Sequence, residues 1–66
     1  MKLAELIEKY LDGMDVIAIK RYGSEYLVMY HDKRNVCTSY IIHHLDDNGL
    51  YNGRYYASEE DAKEEF

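Results

Sequence analysis

Few residues in this chain have side chains that can do covalent or metal chemistry. Cys37 is the one cysteine, and the histidines are His31, His43 and His44. A cysteine becomes a strong nucleophile when an imidazole beside it takes its proton. His43 shares strand parity with Cys37, but at about 3.3 Å per residue the two stand roughly 20 Å apart along one strand. His31, across a hairpin, is the better partner. A single strand cysteine more often serves as a small buried hydrophobe, and Cys37 is read that way. His43 and His44 are adjacent on a strand, point to opposite faces and cannot grip one ion together. A set drawn from His31, Cys37 and one of these histidines supplies three ligands at most, with no supporting spacing. Asp46-Asp47-Asn48-Gly49 opens like a calcium loop, but no Glu closes it, and Asn-Gly explains itself as a turn. No nucleophile elbow, phosphate-binding glycine loop or zinc-protease helix motif occurs. The expectation is a non-enzymatic protein with no catalytic residue, no metal and no cofactor.

Charge is the second source of chemistry, and it is unevenly placed. Eight Lys and Arg stand against thirteen Asp and Glu, a formal net charge of −5. Residues 1–45 are neutral in sum, and residues 46–66 hold seven acids and two bases. The two bases there are Arg54 and Lys63. Lys20, Arg21, Lys33 and Arg34, with Tyr22 and Tyr26 nearby, form one basic foothold that could hold phosphate while a tyrosine stacks on a base. The excess of acid works against that use, because long-range repulsion lowers rate and affinity for nucleic acid. A small nucleic-acid-binding or regulatory protein is therefore the alternative reading and not the first.

The acidic last third points to a protein partner. Glu60 and Glu64 are one helical turn apart, as are Asp61 and Glu65, a spacing of about 6 Å that is close to phosphate separation along a nucleic-acid strand. Asp46 and Asp47 add charge at the Asn-Gly turn. Tyr51, Tyr55 and Tyr56 lie between these two acidic groups in sequence, among eight tyrosines in all. Tyrosine gives a large contact area with few rotatable bonds and a polar tip. Acid steers approach, and tyrosine supplies short-range affinity. The expected partner-binding residues are Asp46, Asp47, Tyr51, Tyr55, Glu60, Asp61, Glu64 and Glu65. Tyr10, Tyr26 and Tyr30 are the expected core tyrosines.

The elements that position these residues follow from pattern. Sixty-six residues make a single small domain spanning 1–66, which buries only about 60% of its unfolded surface. One cysteine excludes an intrachain disulfide. No apolar run approaches the roughly 20 residues of a membrane span, so a soluble, cytoplasmic protein is expected. Leu3, Leu6, Ile7, Tyr10 and Leu11 take helical spacing on one face, with Gly13 as the stop. Asp15–Tyr22 and Glu25–His31 read as a hairpin turning at Gly23-Ser24. In that register Ile19 faces Val28 and Ile17 faces Tyr30 on the face that receives the helix. Ala18 faces Met29 and Lys20 faces Leu27 on a mixed second face, half-solvated or partner-facing. Val36–Leu45 is the third strand, and Asn48-Gly49 supplies the positive φ angles of a type I′ turn. Leu50–Tyr56 is the fourth strand, weakened or bulged at Gly53. Ser58 caps a short acidic helix that docks through Ala62 and Phe66. The fold class is α+β: N-terminal helix, four-stranded, largely antiparallel sheet from two β-hairpins, and a short C-terminal helix at an end. A homodimer is expected to cover surface that so small a core leaves open.

The stretch Tyr40-Ile41-Ile42-His43-His44-Leu45-Asp46-Asp47-Asn48-Gly49, running into Gly53-Arg54-Tyr55-Tyr56-Ala57-Ser58-Glu59-Glu60-Asp61-Ala62, resembles small accessory proteins of phages and mobile elements from Gram-positive bacteria. In these, a strand, an Asn-Gly turn, a Tyr-bearing strand and a capped acidic helix often close the chain. The overall type is similar to anti-CRISPR proteins: short, acidic, Tyr-rich and proline-poor. The likeness covers about a third of the chain and carries no signature motif, so it assigns no site residue. It implies a protein that occludes the nucleic-acid-binding groove of a host protein such as a CRISPR effector nuclease.

Overall fold

The computed structural model describes residues 2–34 and 37–66. The element order is α1 (Leu3–Tyr10), β1 (Asp15–Tyr22), β2 (Glu25–His31), β3 (Tyr40–Asp46), β4 (Gly49–Tyr56) and α2 (Glu59–Glu65). The strands form one antiparallel sheet in the order β1-β2-β3-β4, so β1 and β4 are its edges. The α+β architecture is the one the pattern predicts. Neither helix is long and apolar enough to cross a membrane.

The apolar stripe of α1 closes one face of the sheet. Leu6 and Leu11 are buried with Val28, Tyr30, Ile41 and Leu45, and Leu3, Ile7 and Tyr10 pack against them. The helix ends at Tyr10, before the expected stop. Leu11 donates its N–H to Ile7 O at 2.8 Å, and the chain then leaves through Gly13 at φ 82°. A left-handed residue there favours glycine, which has no Cβ to clash.

The first hairpin turns at Gly23-Ser24, with Tyr22 opposite Glu25 and positive φ at Gly23. Ile19–Val28, Ala18–Met29 and Lys20–Leu27 pair as expected, but Ile17 does not face Tyr30. A bulge between Val16 and Ala18 gives that place to Val16 and sends Ile17 to the opposite face, against Met29 and Ile42. One extra residue inverts the alternation on the side of it away from the turn, here at Asp15 and Val16.

The third strand starts at Tyr40, four residues later than expected. Its partner β2 stops at His31, opposite Tyr40, and the β2–β3 ladder ends with that pair. Asp32 closes β2 by accepting Arg34 N–H at 3.0 Å on its carboxylate and donating its own N–H to Ser39 O at 2.8 Å. Cys37 is exposed in the connection and not buried in a strand, which corrects that expectation. Val36, the expected strand start, lies outside the described residues.

The second hairpin also departs from expectation. Asp46 pairs with Gly49, so the loop residues are Asp47 and Asn48. Positive φ falls on Gly49, at 121°, and not on Asn48. Asp46 carboxylate accepts Asn48 N–H at 2.8 Å, a side-chain turn that sets this geometry. Further on, Asn52 (φ 51°) and Gly53 together oppose His43, the bulge expected near Gly53.

α2 corrects the second face. It lies across that face and not at an end of the sheet. Ala62 is fully buried against Met29 and Ile42, with Ile17, Leu27, Tyr40, Tyr56 and Phe66 around them. Ser58 Oγ accepts Asp61 N–H at 3.2 Å, the expected cap. Half of the second face is thus core, and the other half stays open towards the two hairpin turns.

Candidate functional site

The open half of the second face carries a row of rings crossing the sheet. Strand alternation places Tyr22 of β1, His44 of β3 and Tyr51 of β4 on this one side. The Tyr22 and His44 rings meet edge to face at 5.3 Å, and His44 stacks on Tyr51 at 5.2 Å. Glu25 of β2 holds the row together. It accepts His44 Nδ1–H at 3.3 Å on one carboxylate oxygen and the Tyr51 hydroxyl on the other. That hydrogen bond to Glu25 pushes the Tyr51 pKa up to about 12, so the phenol keeps its proton across the physiological range. Tyr22 is 56% exposed and Tyr51 37%. Rings locked by a carboxylate yet open to solvent form a preorganised contact surface, which lowers the ordering cost of binding.

Acid brackets this row. Asp46 and Asp47 sit beside it at the β3–β4 turn. α2 begins where β4 ends, about 20 Å from that turn along the eight-residue β4. Lys63 pairs with Glu59 at 2.8 Å and Arg54 reaches Glu65 at 4.0 Å, using both bases of the last third. Glu60, Asp61 and Glu64 are exposed and form no salt bridge among the described residues, though Glu60 lies near enough to Lys63 to help raise its pKa. The structure thus places the expected acids in two groups: half-buried Asp46 with exposed Asp47 at the β3–β4 turn, and exposed Glu60, Asp61, Glu64 and Glu65 on α2, Glu65 being the one within reach of Arg54.

The structure separates Tyr55 from them. Tyr51 and Tyr55 have the same parity and would share a face on a regular strand. The bulge at Asn52-Gly53 turns Tyr55, 53% exposed, to the α1 face, where it meets His43 edge to face at 5.9 Å. Tyr22, Glu25 and His44 were not among the expected contact residues. Their signal was the alternation itself, since Tyr22 and His44 fall on the second face once the first hairpin register is set. Of the expected core tyrosines, Tyr30 is buried, while Tyr10 and Tyr26 are half-buried against the same cluster.

The other chemistry-bearing residues are dispersed. His31 stacks on Tyr40 at 4.6 Å and faces Asp15 at 3.9 Å. His43 stacks on Tyr30, and its Nδ1 shares a 2.9 Å hydrogen bond with the Tyr30 hydroxyl. Cys37 stands outside the strand ladders. Among the described residues no three His, Cys, Asp or Glu gather as a metal set. The basic foothold is split. Lys20 and Arg21 occupy opposite faces near the first turn, whereas Lys33 pairs with Asp15 at 3.2 Å and Arg34 with Asp32 at 3.1 Å beyond the far end of β2. Lys20 lies over the Phe66 ring at 4.9 Å and donates to the Phe66 carbonyl. The wide recess of about 510 Å³ between the hairpin turns is lined mostly by polar groups, among them Arg21, Glu25, Asp46 and Asp47. It lacks the apolar lining of a small-molecule site.

His43 makes the fold sensitive to acid. Burial, and then the neighbouring His44, lowers its pKa below the ordinary 6.5. The unfolded chain therefore binds more protons between the folded pKa and 6.5, and stability rises with pH through that window. Urea unfolding at pH 7, 6 and 5 is expected to show falling stability on acidification, with a shallower fall in His43→Gln. An identical pH slope in the two proteins would show that His43 is not the source.

No protein family, no curated protein and no solved structure matches this chain.

Proposed function

We propose that this protein is a non-enzymatic, protein-binding inhibitor from a phage or mobile element, acting in the cytoplasm of a bacterial host. Its target is a host nucleic-acid-binding protein, with a CRISPR effector nuclease as the leading case. The observation that carries this reading is that exposed Tyr22 and Tyr51 share one side of the sheet with Glu60, Asp61 and Glu64, exposed acids that form no salt bridge among the described residues. Glu60, Asp61 and Glu64 present charge where phosphates would lie, and Asp46 and Asp47 extend it beyond the ring row. Long-range attraction to a basic groove speeds encounter, and the fixed rings give contact area once water is expelled. Tyr55 belongs to the opposite face and is not assigned to this surface.

The test is inhibition of guide-directed DNA cleavage across a panel of CRISPR nucleases. Changing Asp46, Asp47, Glu60 and Glu64 to Lys adds two charges per position and moves the formal charge from −5 to +3. The native protein is expected to inhibit at least one nuclease, and the variant to need roughly tenfold more protein or worse, since close charge pairs are worth ~1.5 kcal/mol or more each. Undiminished inhibition by the variant would sink the acidic surface, and inhibition of no effector would sink the target class.

A further inference from the structure

On the open half of the second face, a cleft of about 160 Å³ lies between the end of β1 and the last turn of α2. Its floor is Leu27 and Ile42, its walls are Tyr22 and His44, and Arg54 and Glu65 stand at its rim. Sites for small molecules usually enclose ~300–1,000 Å³, so this volume suits one large side chain and no nucleotide. The geometry points to the cleft as a socket for a single arginine side chain of the protein partner. This inference rests on the docking reading above and names the chemistry that the surface selects.

Each part of the cleft matches a part of arginine. The apolar floor receives the methylene stem. The exposed Tyr22 ring offers a face on which a guanidinium stacks. The Glu65 carboxylate, its side chain 54% exposed, offers two oxygens to the guanidinium fork. Lysine has the charge but neither the plane nor the fork. Arg54 already shows a loose version of this pairing, 4.0 Å from Glu65 with its own side chain 68% exposed. An incoming guanidinium that gains Tyr22 as well as Glu65 displaces it. A nucleobase could stack on Tyr22, with Arg54 and Lys20 drawing its phosphates, but the nearby carboxylates of Glu65, Glu25 and Asp46 outnumber these two bases and oppose it.

The experiment is an NMR titration of the isotope-labelled full chain with three probes: an Arg-Gly repeat peptide, a Lys-Gly peptide of equal length and charge, and an oligouridylate. The Arg peptide is expected to bind about fivefold tighter than the Lys peptide and to shift Tyr22, His44, Arg54 and Glu65. Tyr22→Leu and Glu65→Gln, both exposed sites, are each expected to erase that preference while the spectrum keeps its native dispersion. Arg54→Ala is expected to tighten the Arg peptide by removing the internal rival. Equal affinity for the two peptides, shifts confined to the outer side of α2, or oligouridylate as the tightest probe at the cleft would each overturn the socket. Nuclease inhibition that survives Tyr22→Leu unchanged overturns the socket and leaves the docking reading standing. An intact Arg preference in a protein that inhibits no effector supports the socket and overturns the assigned target.

Discussion

Truncating Leu45 to alanine is expected to produce the largest loss of stability of any single change considered for this chain. Leu45 is fully buried on the α1 side of the sheet, with Tyr26 and Leu50 across from it on the flanking strands. Leucine-to-alanine changes at such sites cost about 2–5 kcal/mol, because the transfer energy and the cavity add. At ~0.05–0.15 kcal/mol per residue, a chain of this length has only about 3–10 kcal/mol in all. The midpoint of thermal unfolding should fall by on the order of 15 °C, and a fraction of the protein should be unfolded at room temperature. Glu64→Ala, on the exposed side of α2, serves as control and should stay within about 0.5 kcal/mol. A Leu45→Ala loss no larger than the control would mean that α1 does not seal this face.

Gly53→Ala is the second large effect, and it reads the bulge directly. A Cβ at Gly53 would stand 2.3 Å from His43 Nε2. The imidazole cannot retreat freely, because Tyr30 stacks on it and Tyr55 meets it edge to face. Overpacking of this kind costs about 1–3 kcal/mol. The cost should fall below about 0.5 kcal/mol in a His43→Ala background, where the clash is gone, so a double-mutant cycle measures the contact. An equal cost in both backgrounds would locate the strain in the backbone of the bulge and not in the ring.

The α1 stripe was readable because Leu3, Leu6, Ile7, Tyr10 and Leu11 repeat at helical spacing with nothing competing. Gly23-Ser24 was readable because a turn glycine sets the register of the whole first hairpin. Two bulges were harder. The one at Ile17 lies in a run of apolar residues, Val16-Ile17-Ala18-Ile19, whose pattern fits either face. The one at Asn52-Gly53 was marked by glycine, but its consequence for Tyr55 depends on where the extra residue is absorbed. The late start of β3 was hidden because Cys37 and Thr38 are acceptable strand residues, and only the end of β2 at His31, opposite Tyr40, closes the ladder before them.

The same division holds for the surface. By itself the sequence determined the number and kind of elements, the helix face that enters the core, and the concentration of acid in residues 46–66. Those properties are local or additive: periodicity, turn chemistry and a count of charges. Tertiary structure alone decided which tyrosines meet. It joined Tyr22, His44 and Tyr51 through Glu25, sent Tyr55 to the other side, split the basic residues between two ends of a hairpin, and laid α2 over half of the second face. Each of these depends on cross-strand register, and a single inserted residue reverses which face every later side chain occupies.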